Sequence, residues 1–314
     1  MNSFVKTVLT VTVSTVFMSI FQPTAAADDC QQLFNETRRA FFSQDFSMSV
    51  VLGNSGGMNS YSLSHRYLKG KSYTRWLNLN GEVSGYFLKE LDGYDFNNDH
   101  KYRGPLSWHQ SMIIDKLFSP QTKLYDYTCV LTGRTRLSGY KSSILRLAPA
   151  NDLRYAYVIA VNDENSLPVE VDVVSPDGEI SLRAIMSAHR LSVPEDLETI
   201  EDETFTEFSQ REDKQETART LVPWPELNIP KSFKLTEDNY EVTETGDKSY
   251  FQVYSDGLTD FRVYKNSKTS VTIPYVQNGT LLVLRCNYQG TEYAVVGELP
   301  LALARSTLSL LCGK

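Results

Sequence analysis

From Tyr140 to Glu179 apolar and polar positions alternate in short runs separated by turn chemistry. Tyr140–Leu147 runs to a break at Pro149–Asp152, and Arg154–Val161 is rich in the aromatic and β-branched residues that suit a half-buried pleated surface. Asn162–Asn165 supplies Asn and Asp side chains that hydrogen-bond nearby backbone in turns. Leu167–Val174 returns with Val169, Val171 and Val173 on one face and Glu170 and Asp172 on the other, the period of a sheet with one wet face. Pro176-Asp177-Gly178 then closes a hairpin. Three successive antiparallel strands follow from this pattern.

The same alternation recurs upstream. Phe46, Met48, Val50 and Leu52 share a face, as do Tyr61, Leu63, His65 and Tyr67, and then Tyr73, Arg75, Leu77 and Leu79. Asn80-Gly81 is a hairpin signal ahead of Val83–Leu88. Helical spacing is confined to three places. Asp29–Ser43 sets Leu33, Phe34, Ala40 and Phe41 around one face, with Asp29 as a capping candidate. Met112–Phe118 is a short helix stopped by Pro120, and Pro300 opens a terminal helix whose Leu301, Ala304, Leu308 and Leu311 align. Before it, Phe251 and Val253 match Phe261 and Val263 across Ser255-Asp256-Gly257 as a hairpin, and Leu281–Arg285 and Tyr293–Val296 flank an Asn287–Gly290 turn. The fold class is mainly β with α (α+β): helices on a large antiparallel sheet, followed by a smaller sheet-plus-helix domain.

Two stretches stand outside this pattern. Residues 1–27 carry one early charge, Lys6, an apolar run from Val8 to Phe21, and Ala25-Ala26-Ala27, which together predict a secretory signal peptide cut near Asp28. Thr10, Thr12, Ser14 and Thr15 dilute the run below what a membrane span needs. The expected product is soluble, exported and periplasmic. Between Glu195 and Arg219, Glu and Asp far outnumber Arg211, Lys214 and Arg219 and few apolar residues intervene. That composition predicts a linker, with an acidic docking arm as the functional alternative. The domains expected are therefore 28–194 and 221–314, joined by 195–220.

Charge and cysteine content narrow the function. With 31 Lys+Arg against 38 Asp+Glu the chain has a formal charge of −7, and losing Lys6 with the leader makes it more acidic. Nucleic acid, which needs a basic footprint, is excluded as a partner. Four cysteines in an oxidising compartment permit two disulfides among three connectivities. The domain split favours Cys30–Cys129 and Cys286–Cys312. No Cys-x-x-Cys, Gly-x-Ser-x-Gly, His-Glu-x-x-His or Gly-rich phosphate loop is present. Asp92, Asp95, Asp99 and His100 do not have the spacing of a calcium loop and read as solvated loop. His65 sits on an apolar face as a core histidine, and His109 and His189 are isolated. The chain is expected to be neither an enzyme nor a carrier of a metal or cofactor.

Several blocks resemble the MucB/RseB family of periplasmic regulators of the sigma-E envelope-stress factor. They are Gly133-Arg134-Thr135-Arg136, Arg154-Tyr155 with Tyr157-Val158, and Leu167-Pro168-Val169-Glu170-Val171-Asp172-Val173-Val174 with Asp177-Gly178-Glu179. Downstream, Tyr254-Ser255-Asp256-Gly257-Leu258 with Phe261, and Val296-Gly297-Glu298-Leu299-Pro300, resemble its C-terminal half. The resemblance is thin between Met58 and Leu124, and Ser232 stands where the family pattern has a glycine. It implies a LolA-like large domain, a curved sheet half-wrapped around helices that can enclose an apolar cavity. It also implies binding to the periplasmic region of a transmembrane RseA/MucA-like anti-sigma factor, shielding that factor from proteolysis, with lipid or lipopolysaccharide as a releasing signal. Partner-contact candidates are Arg134, Arg136 and Arg154, as charges that steer association, and Tyr254, Asp256 and Phe261, from the downstream block. Solvated sheet-edge charge and a plain hairpin are the simpler explanations of the two sets. The alternative function is a lipid or lipoprotein carrier of the LolA type, and a homo-oligomer is compatible with either.

Overall fold

A computed structural model describes residues 24–97, 100–102, 109–124, 126–192, 197, 222–242, 246–266 and 274–313. The leader up to residue 23, Asp99, and the acidic run apart from Leu197 lie outside the described residues. Among those described, eleven strands form one antiparallel sheet and six form a second.

The large sheet contains β1 (Phe46–Asn54), β2 (Gly57–Leu68), β3 (Lys71–Asn78), β4 (Ser84–Lys89), β5 (Asp92–Asn97), β6 (His100–Tyr102), β7 (Tyr127–Leu137), β8 (Tyr140–Pro149), β9 (Ala156–Asn162), β10 (Pro168–Val174) and β11 (Ile180–Arg190). Its order is β6-β5-β4-β3-β2-β1-β11-β10-β9-β8-β7, so two meanders meet where β1 pairs with β11. Register follows from the alternation. Leu145, Ile159, Val171, Ala184 and Leu52 sit opposite one another on five adjacent strands, and all are buried. A slip of one residue would turn that whole row to the other face.

Helices α1 (Thr24–Ser43) and α2 (Met112–Phe118) cover this apolar face. Phe41 packs on Phe118 at 4.9 Å between ring centroids, and both join a core with Phe34, Phe46, Trp76 and Tyr86. Helix α1 starts five residues before the expected Asp29, because Ala25–Ala27 are strong helix formers. Cys30 of α1 is bonded to Cys129 of β7, with 5.7 Å between Cα atoms. On the opposite face, Arg183 grips Asp172 through two 2.7 Å hydrogen bonds, and its own exposed guanidinium leaves Asp172 buried on the side of β10 expected to be wet.

Leu197 departs from the linker expectation. It is only 2% exposed, packs with Tyr73, Phe87 and Tyr94, and its carbonyl accepts a 3.3 Å hydrogen bond from Arg66. The physical reason is the aromatic patch on the sheet, whose burial outweighs the polar composition around Leu197.

The small sheet has the order β12-β13-β14-β17-β16-β15. Its strands are β12 (Lys234–Val242), β13 (Lys248–Ser255), β14 (Asp260–Asn266), β15 (Tyr275–Asn278), β16 (Leu281–Tyr288) and β17 (Thr291–Glu298), and helix α3 (Leu301–Cys312) packs on it. Leu303, Ala304 and Leu308 of α3 are buried, while Leu301 and Leu311 flank them. Cys286 of β16 is bonded to Cys312 at the end of this helix. The β13–β14 hairpin corrects the expected pairing. Phe251 faces Tyr264 and Val253 faces Arg262, so Phe261 and Val263 lie on the other face. The cause is the loop: Asp256 Oδ1 accepts from the backbone of Leu258 and Thr259, which fixes Ser255 opposite Asp260.

His65 is fully buried and stacks on Phe46 at 5.1 Å, with Nδ1 2.7 Å from the Gln44 carbonyl and no partner at Nε2. Burial lowers its pKa from 6.5 to about 4, against the opposing pull of the Gln44 bond and Asp45. The unfolded chain therefore takes the proton first. Stability from this site is complete above the unfolded value and is lost as the pH falls through the folded one, about 3 kcal/mol in all. Unfolding free energies from urea titrations should show wild type losing about that margin relative to His65→Leu on going from pH 7 to pH 4. A constant difference would contradict the buried neutral ring.

Candidate functional site: the junction of the two sheets

The loop before β9 and the β13–β14 loop each place one charged side chain in the junction. Arg154 is 5% exposed; its Nε donates to Asp256 Oδ2 at 2.8 Å, and a terminal nitrogen lies 3.2 Å from Asp126. Its guanidinium also lies 5.7 Å from the centre of the Phe233 ring. A planar cation suits such a place, because it can bridge two carboxylates and still stack. Burial opposes the charge on Arg154, but the hydrogen bond and charge of Asp256 more than offset it and raise its pKa. Beside the pair, Leu258 of the small unit is buried in the large core, and Leu153 packs reciprocally on the small one.

A second set of contacts runs from α2 to β14 and β17. Lys116 Nζ bonds Asp260 Oδ2 at 2.8 Å. Burial works against the Asp260 charge, yet Lys116 and a hydrogen bond from Ser255 hold its pKa below the ordinary value. The neighbouring Asp115 points the other way, accepting from Tyr86 at 2.9 Å, and burial pushes it up to about 7. Tyr155 donates to the Thr280 carbonyl at 3.2 Å, and Gln110 donates to the Asn278 carbonyl at 2.6 Å. Glu298, 6% exposed, accepts from the Thr280 hydroxyl at 3.2 Å.

Two clefts open beside these contacts. One of about 520 Å³ is lined by Lys123, Asp126, Arg154, Lys231, Lys234 and Asp256. The other, about 820 Å³, is edged by Ile180, Tyr275, Val276, Leu301 and Arg305. Among the described residues, no group of three or more His, Cys, Asp or Glu could hold a metal ion.

The residues expected from sequence fall into three groups. Arg154 and Asp256 are brought together, 102 positions apart, and bind each other. Tyr254 stacks on Phe261 at 5.6 Å, with its hydroxyl donating to Gln252. Phe261 itself is 1% exposed, so it is a core residue of the small unit with no surface to offer. Arg134 and Arg136 are exposed on β7, an edge strand, near its turn into β8, and make no contact with the other four. Nothing in the sequence marks Lys116, Asp260 or Thr280, and Glu298 stands in a family block without a role. A carboxylate or lysine carries no local pattern that marks it as a junction residue.

Residues 29–206 match the family model described as the MucB/RseB N-terminal domain. The chain belongs to the MucB/RseB family. The Sigma-E factor regulatory protein RseB of Escherichia coli (strain K12) is 24% identical over 290 residues, covering 85% of this chain and 86% of that protein. Its namesake from Haemophilus influenzae is 21% identical, covering 88% of each. Among solved structures, the Pseudomonas aeruginosa MucA/MucB complex aligns with a TM-score of 0.63 at 18% identity, over 89% of this chain and 96% of that one. The crystal structure of MucB aligns with a TM-score of 0.59 at 20% identity, over 91% of this chain and 98% of that one. The shared fold thus extends through both sheets, beyond the segment matched by the family model.

Proposed function

We propose that this chain is a non-catalytic periplasmic regulator. It binds the periplasmic region of a transmembrane anti-sigma factor, shields it from proteolysis and so restrains sigma-E. The observation that carries this is the alignment with MucB in complex with MucA(peri), a TM-score of 0.62 over 89% of this chain, for a chain of the same family. Among the described residues no helix is long and apolar enough to cross a membrane, which accords with a partner that supplies the membrane anchor. A segment touching both units has two clefts to occupy, one at Arg154–Asp256 and one beside Tyr155 and Tyr275. Lipid or lipopolysaccharide is the releasing signal implied by the resemblance. Because Phe34, Phe41 and Phe118 fill the space between helices and large sheet, entry of a lipid there requires α1 or α2 to move. The direct test is calorimetric titration of the mature chain with the periplasmic fragment of its cognate anti-sigma factor. Saturable binding at fixed stoichiometry is expected, and no heat at about 100 μM would oppose the proposal.

We infer further that two units are joined through the acidic run, with the large unit continuing at least through Leu197. A glutamate-specific protease should cut first between Glu198 and Arg219, since exposed polar segments are preferred sites of nicking. First cuts inside β1–β11 or β12–β17 would contradict this organisation.

A further inference from the structure

Glu298 ends β17 and projects into the junction between the sheets. It is 6% exposed and accepts a hydrogen bond from the neutral hydroxyl of Thr280. The cation that acts on it, Lys116 of α2, is already bonded to Asp260 at 2.8 Å. One ammonium therefore faces two carboxyls, the partly exposed Asp260 to which it is bonded and the buried Glu298. Across the junction, Tyr86 on β4, Tyr155 before β9 and Tyr157 on β9 all feel the charge of Glu298, and each is itself buried. Asp115 lies next along α2 and is bonded to Tyr86. Apart from Lys116, the titratable groups facing Glu298 are thus phenols and acids. A carboxylate in such surroundings lacks both water and a dedicated counter-ion, so its neutral form is favoured.

We propose that Glu298 is a proton-operated latch between the two sheets: the neutral carboxyl keeps the small sheet docked, and its ionisation loosens the dock as the pH rises. The backbone supports this, because Glu298 and its partner Thr280 sit where the small unit meets the large one. Tyr155 donates to the Thr280 carbonyl, while Thr280 donates its hydroxyl to Glu298. Charging Glu298 puts a bare anion against Tyr155 at that shared point.

The direction follows from proton linkage. In the docked protein burial raises the Glu298 pKa from 4.5 to about 8, with Lys116 and Thr280 opposing and Asp260 assisting. The docked state thus holds the proton more tightly than an undocked, solvated Glu298 would. Docking is undiminished below the ordinary value, weakens by about tenfold per pH unit between the two values, and levels off above the higher one. Asp115 is held by Tyr86 within the large core, so its proton governs the stability of that unit rather than the dock.

The test uses the full mature chain with spin labels at Lys71 and Gln289, attached through ketone-bearing side chains so that both disulfides remain intact. Between pH 6 and pH 8 the docked-to-undocked ratio should fall about 50-fold in wild type. Glu298→Gln, a neutral isostere, should give the same distance distribution at both pH values. A wild-type distribution that does not change would mean that Lys116 follows the charge, and it overturns the latch. Equal opening of Glu298→Gln overturns it too. Should that variant not fold, titration of wild type carrying 13C at the glutamate carboxyls decides the matter. One carboxyl titrating above pH 7 is expected, and midpoints all below about 5.5 would refute the latch.

Discussion

Removing the Cys30–Cys129 bond is expected to destabilise the large unit by about 4–5 kcal/mol, the entropic cost of reopening a loop of this size. The bond closes 99 positions of sequence and ties α1 to β7, an edge strand of the large sheet. Without it, packing such as that of Phe41 on Phe46 and Phe118, and the Arg38 hydrogen bond to the Thr122 carbonyl, must hold the helix over the sheet. The Cys286–Cys312 bond spans 26 positions, for which the same model gives about 3.5 kcal/mol. Urea denaturation of Cys30→Ser/Cys129→Ser and Cys286→Ser/Cys312→Ser variants measures both. The first pair should cost more. A loss under about 1 kcal/mol for the first would show that helix packing already supplies the constraint.

Arg154→Ala should weaken docking of the two units by about 3–5 kcal/mol, the usual cost of stranding a buried carboxylate. Asp256 is 8% exposed at its side chain and would lose its cation, while Phe233 would lose the guanidinium above it. Arg154→Lys should recover only part of this, because an ammonium cannot bridge Asp256 and Asp126 and also stack. In a double-mutant cycle with Asp256→Asn, the coupling should account for most of the loss. Unfolding should then split into two transitions, the small unit first. An effect below about 1 kcal/mol, typical of exposed pairs, would exclude Arg154 as the anchor of the junction.

Local pattern made the strands legible. The alternation of Val169, Val171 and Val173 predicts the face that is buried, and Met112–Phe118 has the bounds read from its periodicity and Pro120. Register was less accessible. Placing Phe251 opposite Phe261 fails because Asp256 builds a loop whose hydrogen bonds shift the pairing, and periodicity cannot count loop residues. Leu197 was hidden by its acidic neighbours, although a lone leucine needs only one aromatic patch to bury it. The junction was least legible. Arg154 meets Asp256 across 102 positions, Lys116 meets Asp260 across 144, and Tyr155 meets Thr280 across 125. Separations of that size leave no periodic trace. The family blocks pointed to Asp256 and Glu298 as residues, but not to what they touch.

The central claim is that this chain shields an anti-sigma factor. Its most direct test is a cleavage assay containing the periplasmic fragment of the cognate anti-sigma factor, its initiating protease and increasing amounts of the mature chain. Cleavage should slow in proportion to added protein and level off at a fixed stoichiometry, with His65→Leu protecting as well as wild type at pH 7. Cleavage that proceeds at an unchanged rate under saturating protein would contradict the account.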